Sequence, residues 1–285
     1  MTARGVQLTE RDQVLLETLA SLRVLTTRQV QQLLFPSEQV ALRRLRRLQK
    51  VGLLCLSRSA ASAHRLVTPT TQGLAVCGRE ARKGGQFRSP LFLQHQLGVN
   101  AFRIVLAHAC ARRPDLELLG FVADVDAAAP QIGVQPRRIL AGSLGRSDSH
   151  VPDGAFALRR AGRSALFFFE FDRGTEVLGN PKRGLGRIIV SYLHAFAADS
   201  YQHLGARFGV DEPFRGFRAL IVTSSPARLA NLRNRWGNTT HASAGARFVW
   251  LAPMDILESK DILRESWVPL DNTDRRTYSV LGGEV

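Results

Sequence analysis

Apolar positions at helical spacing predict three helices in the first fifty residues of the chain. The first spans residues 9–22, where Asp12 at the third helical position is suited to closing a capping box. The second is short and is capped by Thr26 or Thr27, and the third spans residues 36–51. The N-terminal part of the chain is therefore predicted to be a small helical domain.

Two extended segments follow these helices. Gly52 ends the third helix, and residues 53–56 and 64–67 predict two strands that are joined by a stretch rich in Ser and Ala. Residues 70–76 predict a closing helix. The order of three helices, a hairpin and a helix resembles the winged helix-turn-helix of many bacterial DNA-binding proteins.

The third helix has an apolar face and a basic face at 100° per residue. After Glu38 the basic face contains no acid, whereas a merely solvated face usually carries both signs of charge. The pattern therefore favours a DNA-recognition helix, with Arg44 at the flank of the basic face. The candidate DNA contacts on this helix and on the predicted wing are Arg43, Arg44, Arg46, Arg47, Lys50 and Arg65.

The distribution of charge strengthens this interpretation. The chain has a formal net charge of +15, and residues 1–90 hold 15 Lys and Arg against 5 Asp and Glu, which leaves a net +5 for residues 91–285. A basic excess concentrated in one domain is expected of a protein that binds a polyanion. The alternative is a general basic bias of an arginine-rich proteome.

Residues 78–90 are charged, contain glycine and lack periodicity, so they predict a linker with a domain boundary near residue 85. The two domains would then be residues 1–85 and residues 86–285. Helices and strands alternate in the second domain, which predicts an α/β fold. The predicted elements are helices at 91–110, 185–196, 225–236 and 254–263, strands at 118–122, 155–158, 165–171, 217–223 and 247–251, and a long loop at 124–150.

Three acids stand at the ends of the strands of the predicted hairpin. Asp153 precedes the first strand, and Glu170 and Asp172 close the second, which is otherwise apolar. Acids are rarely buried without a partner, and antiparallel pairing brings these three to the same end of the sheet. They are suited to holding one Mg²⁺ or Mn²⁺ ion, since both are hard cations that prefer oxygen ligands.

A purely structural interpretation of these acids is equally open from their spacing. Asp153 would cap a Pro-Asp-Gly turn and Asp172 would pair with Arg173, which leaves only Glu170 unexplained. His95 lies in the first turn of the helix at 91–110, where a lone histidine is usually a surface or capped residue.

Composition narrows the class of protein. The three cysteines are far apart and show no metal-ligand spacing, which fits a reducing cytoplasm. No signal peptide is evident, and no uncharged apolar run approaches the roughly 18 residues that a membrane span requires. We therefore expect a cytoplasmic protein that does not associate with membranes.

The motifs together resemble the replication-relaxation family of plasmid and mobile-element proteins. They are the winged-helix pattern, the Gln-His-Gln-Leu-Gly-Val-Asn run at 94–100, the Val-Pro-Asp-Gly turn at 151–154 and the Glu-Phe-Asp-Arg-Gly-Thr-Glu run at 170–176. The resemblance spans most of the chain, and the last run is its most specific segment. It adds weight to His95 as a site residue.

The second domain of that family looks like the PD-(D/E)xK restriction-endonuclease-like fold, in which an Asp and an acid of the next strand hold a metal and a lysine supports the attacking water. The resemblance implies Asp153 as the first ligand and Glu170 as the second. Asp172 stands where that motif carries lysine. Lys182 or Arg187 would have to supply the missing positive charge, and arginine does not act as a base at neutral pH.

The leading hypothesis is a DNA-binding accessory protein that acts in replication, relaxation or mobilisation of a plasmid or mobile element. Its second domain would be either a metal-dependent endonuclease or nickase, or a degenerate nuclease fold. The competing hypothesis is a winged-helix transcriptional regulator whose second domain dimerises or senses a ligand. Expected partners are double-stranded DNA, a second copy of the chain in a homodimer, and relaxosome or replication proteins.

Overall fold

The structure is a computed structural model, and it describes residues 2–3, 6–79, 89–124, 139–141, 144, 150–174, 185–236, 248–258, 261–264, 267–271 and 276–282. The fold is mixed α/β, as predicted. The described residues form two compact units, and the change from one to the other falls between Ile104 and Val105, within a helix. The boundary predicted near residue 85 lies outside the described residues.

The first unit is built from short helices and a small antiparallel sheet. Its helices begin and end within two residues of the predicted positions. The elements are β1 (Thr2–Ala3), β2 (Val6–Gln7), α1 (Glu10–Leu22), β3 (Leu25–Thr26), α2 (Thr27–Leu34), α3 (Glu38–Lys50), β4 (Leu54–Ser59), β5 (Ser62–Pro69), α4 (Thr71–Val76) and the first part of α5 (Pro90–Ala111).

Side-chain caps explain where these helices begin. The Thr9 hydroxyl accepts the backbone N–H of Asp12, and the Asp12 carboxylate accepts the backbone N–H of Thr9, which confirms the predicted capping box. Thr26 makes the same reciprocal arrangement with Gln29 at the start of α2. Ser37 caps α3 through the N–H of Val40. Each cap satisfies backbone donors that the first helical turn leaves unpaired.

The sheet of the first unit has the order β3-β5-β4, and both pairings are antiparallel. The hairpin was predicted at this position, but its strands are longer than predicted, so the connection shortens to Ala60 and Ala61. The hydrophobic core of this unit contains fully buried leucines of α1 and α3, including Leu15, Leu19 and Leu45. Leu54 of β4 and Val67 of β5 belong to the same core. Burial of apolar area therefore fixes which face of α3 points outward.

The second unit contains a six-stranded sheet with the order β11-β10-β9-β8-β7-β6. Strands β6, β7 and β8 form an antiparallel meander, β8, β9 and β10 are parallel, and β11 returns antiparallel to β10. The elements are β6 (Leu116–Ala123), β7 (Gly154–Arg160), β8 (Arg163–Asp172), α6 (Leu185–Ala197), α7 (Leu204–Phe208), β9 (Phe217–Thr223), α8 (Pro226–Trp236), β10 (Val249–Pro253) and β11 (Val268–Pro269).

Two predicted features of the second unit are corrected by the structure. The turn between β7 and β8 contains only Ala161 and Gly162, both at positive φ, which matches a tight two-residue hairpin. The helix predicted at 254–263 is wrong. Residues Met254–Glu258 form a short 3₁₀ helix directly after β10, and residues 262–263 form a turn.

The sheet of the second unit is apolar on both faces. On one face Phe168 and Ile221 pack with Ile189 and Tyr192 of α6 and with Leu232 of α8 in a single buried cluster. The opposite face carries a row of phenylalanines from β6, β7 and β8, whose rings stack in sequence. They are Phe121, Phe156 and Phe167, with centroid separations of 5.8 and 4.9 Å. Within the described ranges, no helix is long and apolar enough to cross a bilayer.

An ion pair links α1 to α3 in the first unit. Asp12 is 1% exposed and accepts Arg44 Nε at 2.7 Å, with Arg44 Nη2 on its second oxygen. Burial raises the pKa of Asp12, but the hydrogen bonds from Arg44 and Thr9 outweigh it and hold the pKa below its ordinary value. The carboxylate is therefore charged and fully engaged beneath the α3 surface.

Replacement of Arg44 by Ala should destabilise the first unit by about 2 kcal/mol, because it leaves the Asp12 carboxylate buried without its guanidinium. Arg43→Ala removes the same charge from an exposed neighbour on α3 and should cost less than about 0.5 kcal/mol. All three tryptophans lie beyond residue 235, so hydrogen exchange of the α1 and α3 amides is the appropriate measurement. Equal acceleration in both variants would contradict a structural role for Arg44.

Candidate functional site

The first unit presents the predicted basic face on α3. Ala41, Leu45 and Leu48 are fully buried on the inner face of the helix, while its outer face is exposed to solvent. The cations on the outer face are Arg43, Arg46, Arg47 and Lys50, and all four are exposed. No acid follows Glu38 on this helix, so its outer surface is uniformly positive.

A cavity of about 720 Å³ lies beside this face. Arg43 and Arg47 line it from α3, and Arg11 lines it from the first turn of α1. The guanidinium of Arg11 lies 5.4 Å from the centre of the Phe35 ring, which also lines the cavity. Glu10, Asp12 and Arg44 line it too, and Asp12 is paired with Arg44. Arginines therefore outnumber acids at this concave surface, which is suited to an anion such as a phosphate.

The structure divides the predicted DNA contacts into two groups. Arg44 differs from its neighbours on α3 because its guanidinium is held by Asp12 and by the carbonyl of Gln7. Arg65 is exposed on β5, and Arg58, which the sequence analysis did not select, is exposed on β4 of the same hairpin. Strand alternation would place Arg58 on the face of Leu54 and Leu56, but the pairing of β4 with β5 is irregular between Ser57 and Ser59, and Arg58 is exposed there.

The second unit brings Asp153 and Glu170 together at one end of the sheet. Strands β7 and β8 pair in the register that sets Gly154 opposite Phe169, which places the two acids at the adjoining position. Asp153 Oδ2 accepts the backbone N–H of Phe171 at 2.7 Å, and the Asp153 carbonyl accepts the N–H of Asp124 at 3.0 Å. The carboxylates of Asp124 and Asp153 approach within 4.8 Å.

Glu170 is buried and holds two polar partners. His150 Nε2 lies 2.7 Å from Glu170 Oε1, and the Tyr192 hydroxyl donates to the same oxygen at 2.5 Å. His150 is 8% exposed and Tyr192 is fully buried on α6. Because both contacts fall on Oε1, a further ligand would meet Glu170 at Oε2.

The electrostatics of this triad favour retention of a proton. Burial raises the pKa of Glu170 and outweighs the lowering by the nearby His150, while the charge of Asp153 raises it further. Burial lowers the pKa of His150, but the charge of Glu170 and the hydrogen bond to it produce a net increase. Both groups therefore bind a proton more tightly than they would in water. Because they contact each other, they titrate as a coupled pair that is buried from solvent.

Asp172 occupies a different setting from the other two acids. Arg228 of α8 donates from Nε at 2.8 Å and from Nη2 at 3.3 Å to the two carboxylate oxygens, and Gly174 donates its backbone N–H at 2.9 Å. Gly174 has φ of 77°, and a Cβ atom there would lie 2.6 Å from Ser224 Oγ. The Asp-Arg-Gly segment thus forms a tight turn that is anchored by Arg228, and metal binding by Asp172 would require breaking that pair.

The remaining candidates lie as follows. His95 is half-buried in the part of α5 that belongs to the first unit. Arg187 is half-buried at the start of α6, and its charge acts against protonation of His150. Lys182 lies outside the described residues.

Sequence reasoning missed the groups that hold the acids. His150 stands at the end of the loop predicted at 124–150, and Tyr192 and Arg228 lie within the helices predicted at 185–196 and 225–236, where no motif singles them out. Asp124 begins the same loop and carried no motif. The only sequence signal for Tyr192 is a hydroxyl on the buried face of an amphipathic helix, since such a group usually finds a partner.

The fold and this geometry define a mixed α/β protein with a basic helical unit and an acidic cluster at one end of a six-stranded sheet. The chain belongs to the replication-relaxation family, whose model matches residues 16–201. Membership suggests a replication-related role in a plasmid or mobile element. Searches of curated proteins and of solved structures gave no significant match.

Tyr192→Phe should destabilise the second unit by about 2 kcal/mol, because the buried Glu170 carboxylate loses a hydrogen bond that water cannot replace. Tyr201→Phe is the matched control, since the Tyr201 hydroxyl donates to the exposed Asp199 and its loss should cost less than about 0.5 kcal/mol. Urea unfolding followed by tryptophan fluorescence reports on this unit. Equal losses of stability in the two variants would show that the hydrogen bond from Tyr192 to Glu170 contributes no more to folding than an exposed one.

Proposed function

We propose that the protein binds duplex DNA through α3 and acts as an accessory factor in replication, relaxation or mobilisation of a plasmid or mobile element. The observation that carries this proposal is the outer face of α3, where four exposed cations stand with no acid among them. A helix with such a face is suited to the major groove, where arginines contact bases and phosphates.

The surroundings of α3 support a winged-helix interpretation of the first unit. Helix α3 is followed directly by the β4–β5 hairpin, which β3 extends into a three-stranded antiparallel sheet. Arg58 and Arg65 are exposed on that hairpin and would contact phosphates beside the groove that α3 enters. The arginine-lined cavity would take a further phosphate next to Arg43 and Arg47.

The second unit is proposed to be a nuclease-like module. The support comes from two acids at adjoining strand ends, Asp153 just before β7 and Glu170 in β8, which the family resemblance implies as metal ligands. Asp124 adds a third carboxylate within 4.8 Å of Asp153. A set of oxygen donors at one sheet end suits Mg²⁺ or Mn²⁺, and Glu170 would contribute Oε2 because Oε1 is occupied by His150 and Tyr192.

A bound ion of this kind would orient a water molecule and neutralise charge on a scissile phosphate. The residues of the chain would do the remaining work. Phe171 holds Asp153 through its backbone N–H, while His150 and Tyr192 fix the orientation of Glu170. His150 is also a group that can hold a proton beside the acids, in a region where Asp172 replaces the lysine of the nuclease motif.

The alternative of a transcriptional regulator with a ligand-sensing domain predicts an apolar pocket in the second unit. The described part of that unit instead contains a cluster of carboxylates with buried polar partners. This observation favours the nuclease-like proposal, in either a cleaving or a degenerate form.

Arg43→Ala/Arg47→Ala should weaken duplex binding at least tenfold and reduce the salt dependence of log K by about 2, because two phosphate or base contacts are lost. Fluorescence anisotropy with labelled duplexes at several salt concentrations measures both quantities. Arg163→Ala/Arg207→Ala is the matched control, since it removes the same charge from two exposed arginines of the second unit. Comparable weakening by the control would overturn specific contact through α3.

Incubation with supercoiled plasmid and Mg²⁺ or Mn²⁺ should produce nicked plasmid with the wild-type protein and none with Asp153→Ala/Glu170→Ala. Gel separation of supercoiled, nicked and linear forms provides the measurement. Asp115→Asn is the control because Asp115 is an exposed acid of the same unit. Circular dichroism of each variant separates loss of cleavage from loss of fold.

Two results would decide between the forms of the second unit. Cleavage that survives in the Asp153→Ala/Glu170→Ala variant would exclude these acids as the metal site. A mobility shift without cleavage by the wild type would identify a DNA-binding protein on a degenerate nuclease scaffold.

A further inference from the structure

A ladder of cationic and aromatic side chains lies on the sheet of the second unit, away from the acids. The guanidinium carbon of Arg218 stands 3.3 Å from the centre of the Trp250 ring. Trp250 in turn stacks on Tyr278 with a centroid separation of 5.2 Å, and Arg276 lies 5.5 Å from the centre of the Tyr278 ring. The order along this ladder is Arg218, Trp250, Tyr278 and Arg276.

The ladder is separate from the acidic cluster. Arg218 is the second residue of β9 and pairs in register with Phe167, whereas Thr223 ends β9 and pairs with Asp172. Five residues of strand span roughly 16 Å. Register partners in parallel strands point to the same face, so Arg218 shares the face of Phe167, and alternation along β8 puts Glu170 on the other.

Arg218 carries a charge that the described residues do not neutralise. Its guanidinium makes the contact with Trp250 and, among the residues that the structure describes, no hydrogen bond or ion pair. Burial lowers the pKa of Arg218 to about 10, so the group remains cationic at neutral pH. A partly buried cation without a counter-charge is costly, and an anion that joined it would recover that cost.

We propose that Arg218 binds a phosphate group of a nucleic-acid strand and that Tyr278 and Arg276, further along the ladder, contact the adjoining part of the same strand. This inference rests on the proposed function in DNA binding, although it invokes a different unit of the protein. It assigns DNA contact to a part of the chain that follows the family match, which ends at residue 201.

The chemistry of the ladder selects this ligand. A planar guanidinium presents a fork of N–H donors that matches phosphate oxygens, and stacking on Trp250 fixes the plane of that fork before the ligand arrives. Trp250 is 6% exposed, so its ring supports the guanidinium of Arg218 from below and is not accessible for stacking by a base. Beyond Trp250, Tyr278 is half-buried and Arg276 is exposed, so a ring surface and a second cation continue the ladder away from Arg218, where the next part of a strand would lie.

The test uses the full chain with Arg43→Ala/Arg47→Ala as the background, so that α3 does not dominate binding. Single-stranded oligodeoxynucleotide and inorganic phosphate are titrated separately, and tryptophan fluorescence is recorded. The oligonucleotide should change the fluorescence, Trp250→Phe should remove most of that change, and Arg218→Gln should weaken binding at least tenfold. Arg218→Lys keeps the charge but lacks the planar fork of donors, so its affinity should lie between those of the background and of Arg218→Gln. This variant also provides the test if Arg218→Gln folds poorly.

Arg163→Gln is the matched control, because Arg163 is an exposed arginine at the start of β8 and its loss removes the same charge. It should leave binding within twofold of the background. Unchanged affinity in Arg218→Gln, an equal loss in Arg163→Gln, or a response to inorganic phosphate without one to the oligonucleotide would overturn the proposal. Since Arg43 and Arg47 are already replaced in this background, failure in this test is distinct from failure of duplex binding through α3.

Discussion

The second unit depends on the burial of Glu170 at the end of an apolar strand. Strand β8 is flanked on both sides by other strands and is apolar on both faces, so a carboxylate at its end has no access to bulk water. The cost of that burial is offset only if polar groups converge on it. His150 and Tyr192 do so, and Tyr192 thereby ties the register of β8 to the position of α6. The acidic cluster is thus part of the architecture whether or not it cleaves DNA.

A buried carboxylate also requires a partner in the first unit, and there it removes a cation from the exposed basic face. Asp12 is buried beneath α3, and Arg44 turns inward to pair with it. One cation of an apparently continuous basic run is thereby committed to folding, while Arg43, Arg46, Arg47 and Lys50 remain at the surface. The pair also fixes the rotation of α3 against α1, so the direction of the exposed face is set by a buried charge as well as by leucines.

Local patterns predicted much of this fold, because helices, caps and hairpins are encoded over a few residues. The capping box at Thr9 and Asp12 and the meeting of the β7 and β8 strand ends are of that kind. The partners of the acids are tertiary. Arg228 lies 56 residues from Asp172, and Tyr192 lies 22 residues from Glu170, so no periodicity links them. The incorrect prediction of an α-helix at 254–263 has the same cause, because the alternation of apolar and charged residues after β10 does not distinguish an α-helix from the short 3₁₀ helix at Met254–Glu258.

Arginine has three distinct uses in this protein, and only its surroundings separate them. Arg44 and Arg228 are bound to buried carboxylates and hold elements together. Arg43, Arg46 and Arg47 of α3 are exposed without acids between them, which suits contact with a polyanion. Arg218 is partly buried on an aromatic floor and lacks a counter-charge among the described residues. Net charge alone would treat all of them as one basic surface. Only the arginines whose guanidinium groups are not paired with a carboxylate remain available to contact the phosphates of DNA.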